Sequence, residues 1–259
     1  MPDKRVNLNA DLGEGYGPWT MGDDDAMLTI VSSANVACGG HAGDPDVMRR
    51  TVRLARERGV SLGAHPSYPD LRGFGRRAMS LTRAELENQL AAQIGALIGI
   101  AALEGVRVSH VKPHGALNNQ ACVDRALADT ICRSVRAIDP ALILLAPAAS
   151  QLVAAGRGAG LPVVEEIFAD RAYLPDGQLV PRSRPDAMIH GAEACLAHVR
   201  AMLDAGALIA IDGTRLPTPI GSICVHGDNA DAVAVARALR QGLLDAGYRI
   251  VGLPELADA

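Results

Sequence analysis

Groups able to do chemistry are unevenly placed along this 259-residue chain: they gather just after six short strand-like runs. Asp11 and Glu14 follow Val6–Ala10, His41 and Asp44 follow Ala34–Ala37, and His65 follows Ser61–Ala64. Farther along, Lys112 and His114 follow Val108–Val111, Asp170 and Arg171 follow Val163–Ile167, and His226 and Asp228 follow Ile223–Val225. Carboxylates and imidazoles move protons near neutral pH or ligate a divalent ion, while lysine and arginine hold anions. When strands alternate with helices, the strands lie parallel and their C-terminal ends share one rim, where barrel enzymes place their chemistry. The pattern predicts an enzyme.

Each residue has a plainer reading beside the functional one. Asp11 suits a general base or a metal ligand, but an aspartate there also caps a turn; the same holds for Glu14 in its glycine-rich loop. Gly13-x-Gly15-x-Gly17 lacks the spacing of a dinucleotide fingerprint. A lone histidine is more often a satisfied structural group than a catalyst. Four of the seven histidines (His41, His65, His114, His226) lie just past different strands, which packing alone explains poorly, because each buried ring nitrogen needs a partner. His110 falls inside a strand and is expected to pack, and His190 and His198 near an outer helix to be solvated. Lys112 and His114, two apart, are expected on one face, with Lys112 anchoring a carboxylate or phosphate. Arg72, Arg76 and Arg77 sit on a glycine-bearing loop able to swing over an anion. Glu165, Glu166, Asp170 and Arg171 surround one strand end, as an ion-pair network or as catalytic groups.

The elements that must position these groups are legible in the spacing. Apolar periodicity near 3.6 predicts helices at about Asp46–Arg58, Arg83–Glu104, Asp124–Ile138, Ser150–Arg157, Ala192–Asp204 and Ala230–Ala246. Asp44-Pro45 and Ser80-Leu81-Thr82 read as helix starts; Gly59, Gly105 and Gly247 read as helix ends, each soon followed by a strand-like run. A seventh strand, Leu142–Ala146, ends in Pro147-Ala148 with nothing reactive. Tyr173–Val180 predicts a hairpin turned at Asp176-Gly177, part of an insertion near residues 171–189 that could act as a lid. Ala207–Ile211 with Asp212-Gly213-Thr214 predicts a smaller one. Without an internal repeat or linker, the expectation is one domain over residues 1–259, an α/β chain folded as a distorted (β/α) barrel of about seven parallel strands.

Composition narrows the partners. Net charge is −4 and the sequence pI about 6.0, so no basic face advertises nucleic acid or an anionic membrane. The longest uncharged stretch, near Ile94–Leu103, reads as too short to span a bilayer. Five scattered cysteines without a C-x-x-C pair argue against a disulfide framework or zinc knuckle, and with no apolar leader they predict a cytoplasmic protein acting on a small molecule.

Longer strings carry a resemblance. Asn7-Leu8-Asn9-Ala10-Asp11-Leu12-Gly13-Glu14-Gly15, Ser33-Ala34-Asn35-Val36-Ala37-Cys38-Gly39, His41-Ala42-Gly43-Asp44-Pro45, His110-Val111-Lys112-Pro113-His114-Gly115-Ala116-Leu117 and Cys224-Val225-His226-Gly227-Asp228 resemble the LamB/YcsF family, whose members are the A subunits of bacterial ATP-dependent 5-oxoprolinase. The resemblance runs from about Val6 to about Tyr248. It implies a barrel similar to the glycoside hydrolase/deacetylase superfamily, which works with two other subunits (B and C) to open 5-oxo-L-proline to L-glutamate as ATP becomes ADP and phosphate. On that basis Lys112 with Arg76 or Arg171 would hold carboxylate or phosphate, joined by Glu14, Glu166 and His226. Asp11 or Asp228 would activate water, and His65 or His114 would protonate the departing nitrogen. ATP would be a cofactor held by the partner subunits, since the chain lacks a G-x-x-x-x-G-K-[ST] loop. Gly40 and Asn118 depart from the family's pattern, which has an aromatic and a tyrosine there, and imply a smaller, more polar pocket wall. The rival reading is a free-standing metal-dependent amidase or deacetylase in which Asp11, His41 and His65 bind Zn²⁺ or a similar divalent ion. A third is a non-catalytic subunit that binds the lactam or scaffolds a complex.

Overall fold

The first strand sets the pattern for the barrel. In β1 (Arg5–Leu12), Asn7, Asn9 and Asp11 alternate with Leu8, Ala10 and Leu12, so one face of the strand is polar and the other apolar. The computed structural model describes residues 4–227 and 230–257. β1 is followed around the ring by β2 (Ser33–Ala37), β3 (Ser61–His65), β4 (Val108–Val111), β5 (Ile143–Pro147) and β6 (Val163–Phe168). β7 (Ala207–Ile209) and β8 (Arg215–Pro217) form the smaller antiparallel hairpin expected from the sequence. β9 (Ile220–Cys224) then pairs in parallel with both β6 and β1, closing a seven-stranded parallel barrel, and the short β10 (Arg249–Ile250) adds to the start of β1. The seven barrel strands are those read from the sequence.

The outer layer comprises α1 (Asp24–Leu28), α2 (Pro45–Glu57), α3 (Arg83–Leu103), α4 (Gly115–Ala121), α5 (Arg125–Ile138), α6 (Gln151–Gly158), α7 (Ala192–Ala205), α8 (Ala230–Asp245) and α9 (Leu253–Ala257). Their starts follow from local chemistry. Asp44 caps α2 by accepting from the Asp46 and Val47 amides (2.8 and 3.1 Å) with Pro45 in the first turn, and Thr82 with Glu85 forms a capping box on α3. Gly59, just beyond α2, has φ +66°, a conformation that a Cβ would strain. The 21 residues of α3 are long and apolar enough to cross a bilayer by length and composition, contrary to the shorter stretch read from the sequence. Here Leu86, Leu90, Ile94, Leu97 and Ala101 form the face that the helix buries in the main apolar core.

Inside the barrel the packing is polar. Asn7 bonds Ser33 (2.7 Å) and accepts from Ser222 (2.7 Å); Asn9 donates to Ser222 (2.9 Å) and accepts from Asn35 (2.8 Å). His110 Nε2 donates to Asn35 Oδ1 (3.0 Å) and fits only because position 63 is glycine, where a Cβ would stand 2.2 Å from the imidazole. As expected, His110 is packed: all six of these side chains are fully buried and hydrogen-bonded, which is how buried polar groups avoid their desolvation cost. The column fixes strand register and ends upward at Lys112.

Candidate active site

Lys112 extends from the end of β4 to the barrel axis, where Nζ lies 3.2 Å from Asp11 Oδ1, 3.1 Å from Glu166 Oε2, 3.1 Å from Asn9 Oδ1 and 3.2 Å from Cys224 Sγ. Burial alone would lower its pKa, but Asp11, Cys224 and Glu166 hold it well above the ordinary lysine value. Burial likewise would raise Asp11, yet His65 and Lys112 keep that carboxyl well below the usual range. Lys112 is therefore a fixed cation that keeps Asp11 ionised. Glu166 is 0% exposed, its pKa pushed up by burial. It lies one layer beneath the cavity, so the structure gives it the lysine as partner in place of the expected substrate contact. Its neighbour Glu165 points the other way, to Arg157 (2.7 Å) and Thr218.

Above Lys112, four groups converge. Glu14, His41, His65 and His114 each present a ligand atom, all within 4.8 Å of one another. His65 Nδ1–H donates to the Lys112 carbonyl (2.6 Å), and His114 Nε2–H donates to the Phe74 carbonyl (2.9 Å). A neutral imidazole has one N–H, so these bonds leave lone pairs on His65 Nε2 and His114 Nδ1, which face each other at 2.9 Å. Asp11 Oδ2 is 3.2 Å from the first and Glu14 Oε1 is 3.6 Å from the second. Acceptors pointing at acceptors require a shared proton or a cation. His114 and His41 are poor holders of that proton: burial and the neighbouring histidines push His114 down to about 3, and burial with His65 pushes His41 well below its ordinary value. His41 stacks on His114 (3.6 Å between centroids), contacts Glu14 Oε1 through Nε2 (2.9 Å), and has no partner at Nδ1. Neutral imidazoles with a carboxylate suit a divalent transition ion. The ligand set keeps His41 and His65 of the expected Asp11, His41 and His65 but has Glu14 and His114 in place of Asp11, which is paired with Lys112.

The loop after β3 is built to supply that Phe74 carbonyl. Phe74 has φ +53°, unusual for a bulky residue, and Gly75 (φ +62°) passes so near that a Cβ would stand 2.9 Å from both His41 and His114. Asp70, bonded to Arg77 and the Gly73 amide, pins the loop. Arg77 is thus structural, whereas Arg76 stacks over Phe74 and reaches the cavity.

A cavity of about 480 Å³ opens over this floor, lined by Asp11, Glu14, His65, Lys112 and His114 on one side and by Phe168, Arg171, Tyr173, Arg182 and His226 on the other. Five of the six groups expected to share a pocket do so; His41 lies behind His114. The hairpin is present, with Tyr173 bridged to Leu179 and Gly177 at its turn, and it walls the cavity on the rim side. His226 Nδ1 pairs with Asp170 Oδ2 (2.8 Å); burial opposes ionisation of Asp170, but His226 holds its pKa below the ordinary value. Asp228 lies outside the described residues. Asn118 lines the cavity, whereas a Cβ at Gly40 would run into Gln93 and Ser67, so position 40 is not a wall. His198, expected in solvent, is partly buried and donates to the Arg171 carbonyl (3.1 Å). Sequence reading missed Arg182; a basic residue on the lid-like insertion was the available signal.

The family model described as LamB/YcsF matches residues 6–258. A protein of Azoarcus sp. (strain BH72) named as the A subunit of 5-oxoprolinase is 58% identical over 254 residues, spanning 98% of this chain and 99% of its own. The crystal structure of the lactam utilization protein from Thermus thermophilus is 43% identical with a TM-score of 0.90, covering 96% of this chain and 100% of that one. A peptidoglycan N-acetylglucosamine deacetylase catalytic domain from Eubacterium rectale ATCC 33656 shares the fold at 12% identity and TM-score 0.51, covering 98% of this chain and 90% of that one.

Proposed function

This chain belongs to the LamB/YcsF family, and from that premise and the geometry of the rim we propose that it is the A subunit of an ATP-dependent 5-oxoprolinase, hydrolysing the cyclic amide 5-oxo-L-proline to L-glutamate. The observation that carries the reading is an aspartate kept ionised by a buried lysine on the floor of an arginine-bearing cavity large enough for a small acid. The partner subunits B and C bind ATP and phosphorylate the lactam oxygen, since this chain has no glycine-rich phosphate loop of the Walker type. In this site Asp11, with His65 beside it, takes a proton from water as the water oxygen bonds to the ring carbon. The ring C–N bond then breaks and the nitrogen takes a proton from His226, which Asp170 orients. This leaves an acyl phosphate, and a second water releases glutamate and inorganic phosphate. Lys112 does not hold substrate; it holds Asp11.

Glu14, His41, His65 and His114 would hold a divalent ion, which when bound supplies a positive charge beside the reacting carbonyl. The same constellation favours, as a second reading, a metal-dependent amidase that works alone. Reconstitution separates the two. The isolated chain is expected to leave 5-oxoproline unchanged, and adding its partners with ATP to restore glutamate release. Robust ATP-independent turnover by the isolated chain would overturn the multisubunit assignment in favour of the amidase.

A further inference from the structure

The β6 and β9 side of the cavity has more positive charge than its own structure uses. Arg171 is only 7% exposed; one of its NH₂ groups donates to the Val180 carbonyl (2.8 Å), and its Nε has no partner. A buried guanidinium with an unmet donor is costly, so such a group is kept where something else completes it. The adjacent carboxylate, Asp170, pairs through Oδ2 with His226 and makes no hydrogen bond to Arg171. Arg182, from the far side of the hairpin, and Arg76, from the loop after β3, line the same cavity, and neither has a carboxylate partner among the described residues. Burial and then Arg182 push the Arg171 pKa down, with Arg76 adding to the effect, as expected where like charges face one another in a partly dry space.

Resting on the proposed reaction, we propose that Arg182 completes, with Arg171 and Arg76, a subsite for the phosphoryl group of the activated lactam. A lactam acid carries one negative charge on its carboxylate; an O-phosphorylated lactam adds about two more. Three guanidiniums set apart from the Asp11 and Glu14 carboxylates, which line the other side of the cavity, match the second ligand, and planar guanidinium forks suit phosphate oxygens. The placement also fits the direction of the chemistry. The phosphoryl end rests on the β6 and β9 side, while the ring carbon faces Asp11 and His65, and the phosphate leaves past the exposed Arg76 and Arg182. Carrying Arg182 on an insertion makes this charge adjustable without disturbing the barrel.

Calorimetric titration of the intact chain with inorganic phosphate, and separately with 5-oxoproline, tests the assignment. Phosphate should bind the wild type. Arg182→Ala should weaken phosphate by about 10-fold, one guanidinium's worth of charge-assisted bonding, while changing 5-oxoproline affinity by less than about 2-fold; Arg182→Lys should recover part of the loss. Equal weakening of both ligands would reassign the arginines to the substrate carboxylate and overturn the proposal, as would phosphate binding indifferent to Arg182→Ala, or none at all. Loss of ATP-dependent turnover in the reconstituted complex with arginine-dependent phosphate binding intact would support the subsite and remove only the reaction.

Discussion

The two halves of the rim solve opposite problems. From β1 to β4 the groups are buried and cross-linked: the side chains of His41 and His65 are 0% and 1% exposed, and the second nitrogens of His65 and His114 are tied to backbone carbonyls. Beyond β6 and β9 they are looser: the side chains of His226 and Asp170 are 21% and 23% exposed, and Arg182 rides on a hairpin. The first half fixes protonation states, as reacting groups require; the second leaves charge unmatched, as a site for a changing anion requires. Substitutions in the first half should therefore cost rate and ion content, and those of the second half's arginines should cost affinity.

The strongest way to break this contrast is Asp11→Asn, tested in the reconstituted complex. The exchange keeps shape and most hydrogen bonds but removes the charge that Lys112 stabilises, so turnover should fall by ~10²–10⁴-fold, the range for losing a general base. A thermal melt of the same preparation should show the barrel intact. Near-normal turnover with a lowered melting temperature would move Asp11 from reacting group to structural partner of Lys112.

Next in size is the ion that the facing lone pairs of His65 and His114 call for. Elemental analysis of the wild type should find a divalent transition ion, and chelation should lower the melting temperature by the equivalent of ~2.7 kcal/mol for a site about 100-fold above its dissociation constant. His114→Ala should lose both the ion and the response to chelator. If the wild type carries no ion and melts identically with chelator, the cluster shares a proton and the first half is an acid–base network alone.

The same contrast explains what could be read from sequence. The seven strands, the six main helices and both hairpins were legible because alternation, caps and Asp-Gly turns are local signals. α4 was not, because its N-cap, His114, gives no side-chain cap and uses its ring on His65 and Phe74 instead. Histidines at strand ends announced the first half, but not that His41 sits behind His114. Glu165 and Glu166 are alike in sequence and take opposite faces of β6, and the strand's register against β9 shifts between those two residues. In the second half, Arg182 and the carbonyl contact of His198 depend on how the hairpin folds back, which no periodicity encodes.

The smallest effect tests whether the fixed half owes its rigidity to the polar column beneath it. His110 is fully buried, and burial, with Lys112 and His65 adding to it, depresses its pKa to about 3. In the unfolded chain a histidine titrates near 6.5, so between the two values the unfolded state binds the extra proton. Stability from this group is therefore complete above about pH 6.5 and is lost as pH falls toward 3, by at most ~1.4 kcal/mol per pH unit for one proton. The depressed carboxylate of Asp11 acts in the same direction, but below the ordinary aspartate value near 3.9; the raised carboxyl of Glu166 acts in the opposite direction. His110→Gln can keep a donor toward Asn35 and removes the titration. Both carboxyls are present in both proteins, so the difference between variant and wild type from about pH 6.5 to 5 reports His110. Denaturant melts across that range should give the variant a slope shallower than the wild type by about one proton, at the cost of some stability near pH 7. Identical slopes would mean that His110 is reached by water before the barrel opens, and the column would then be a lining of the active site, not its foundation.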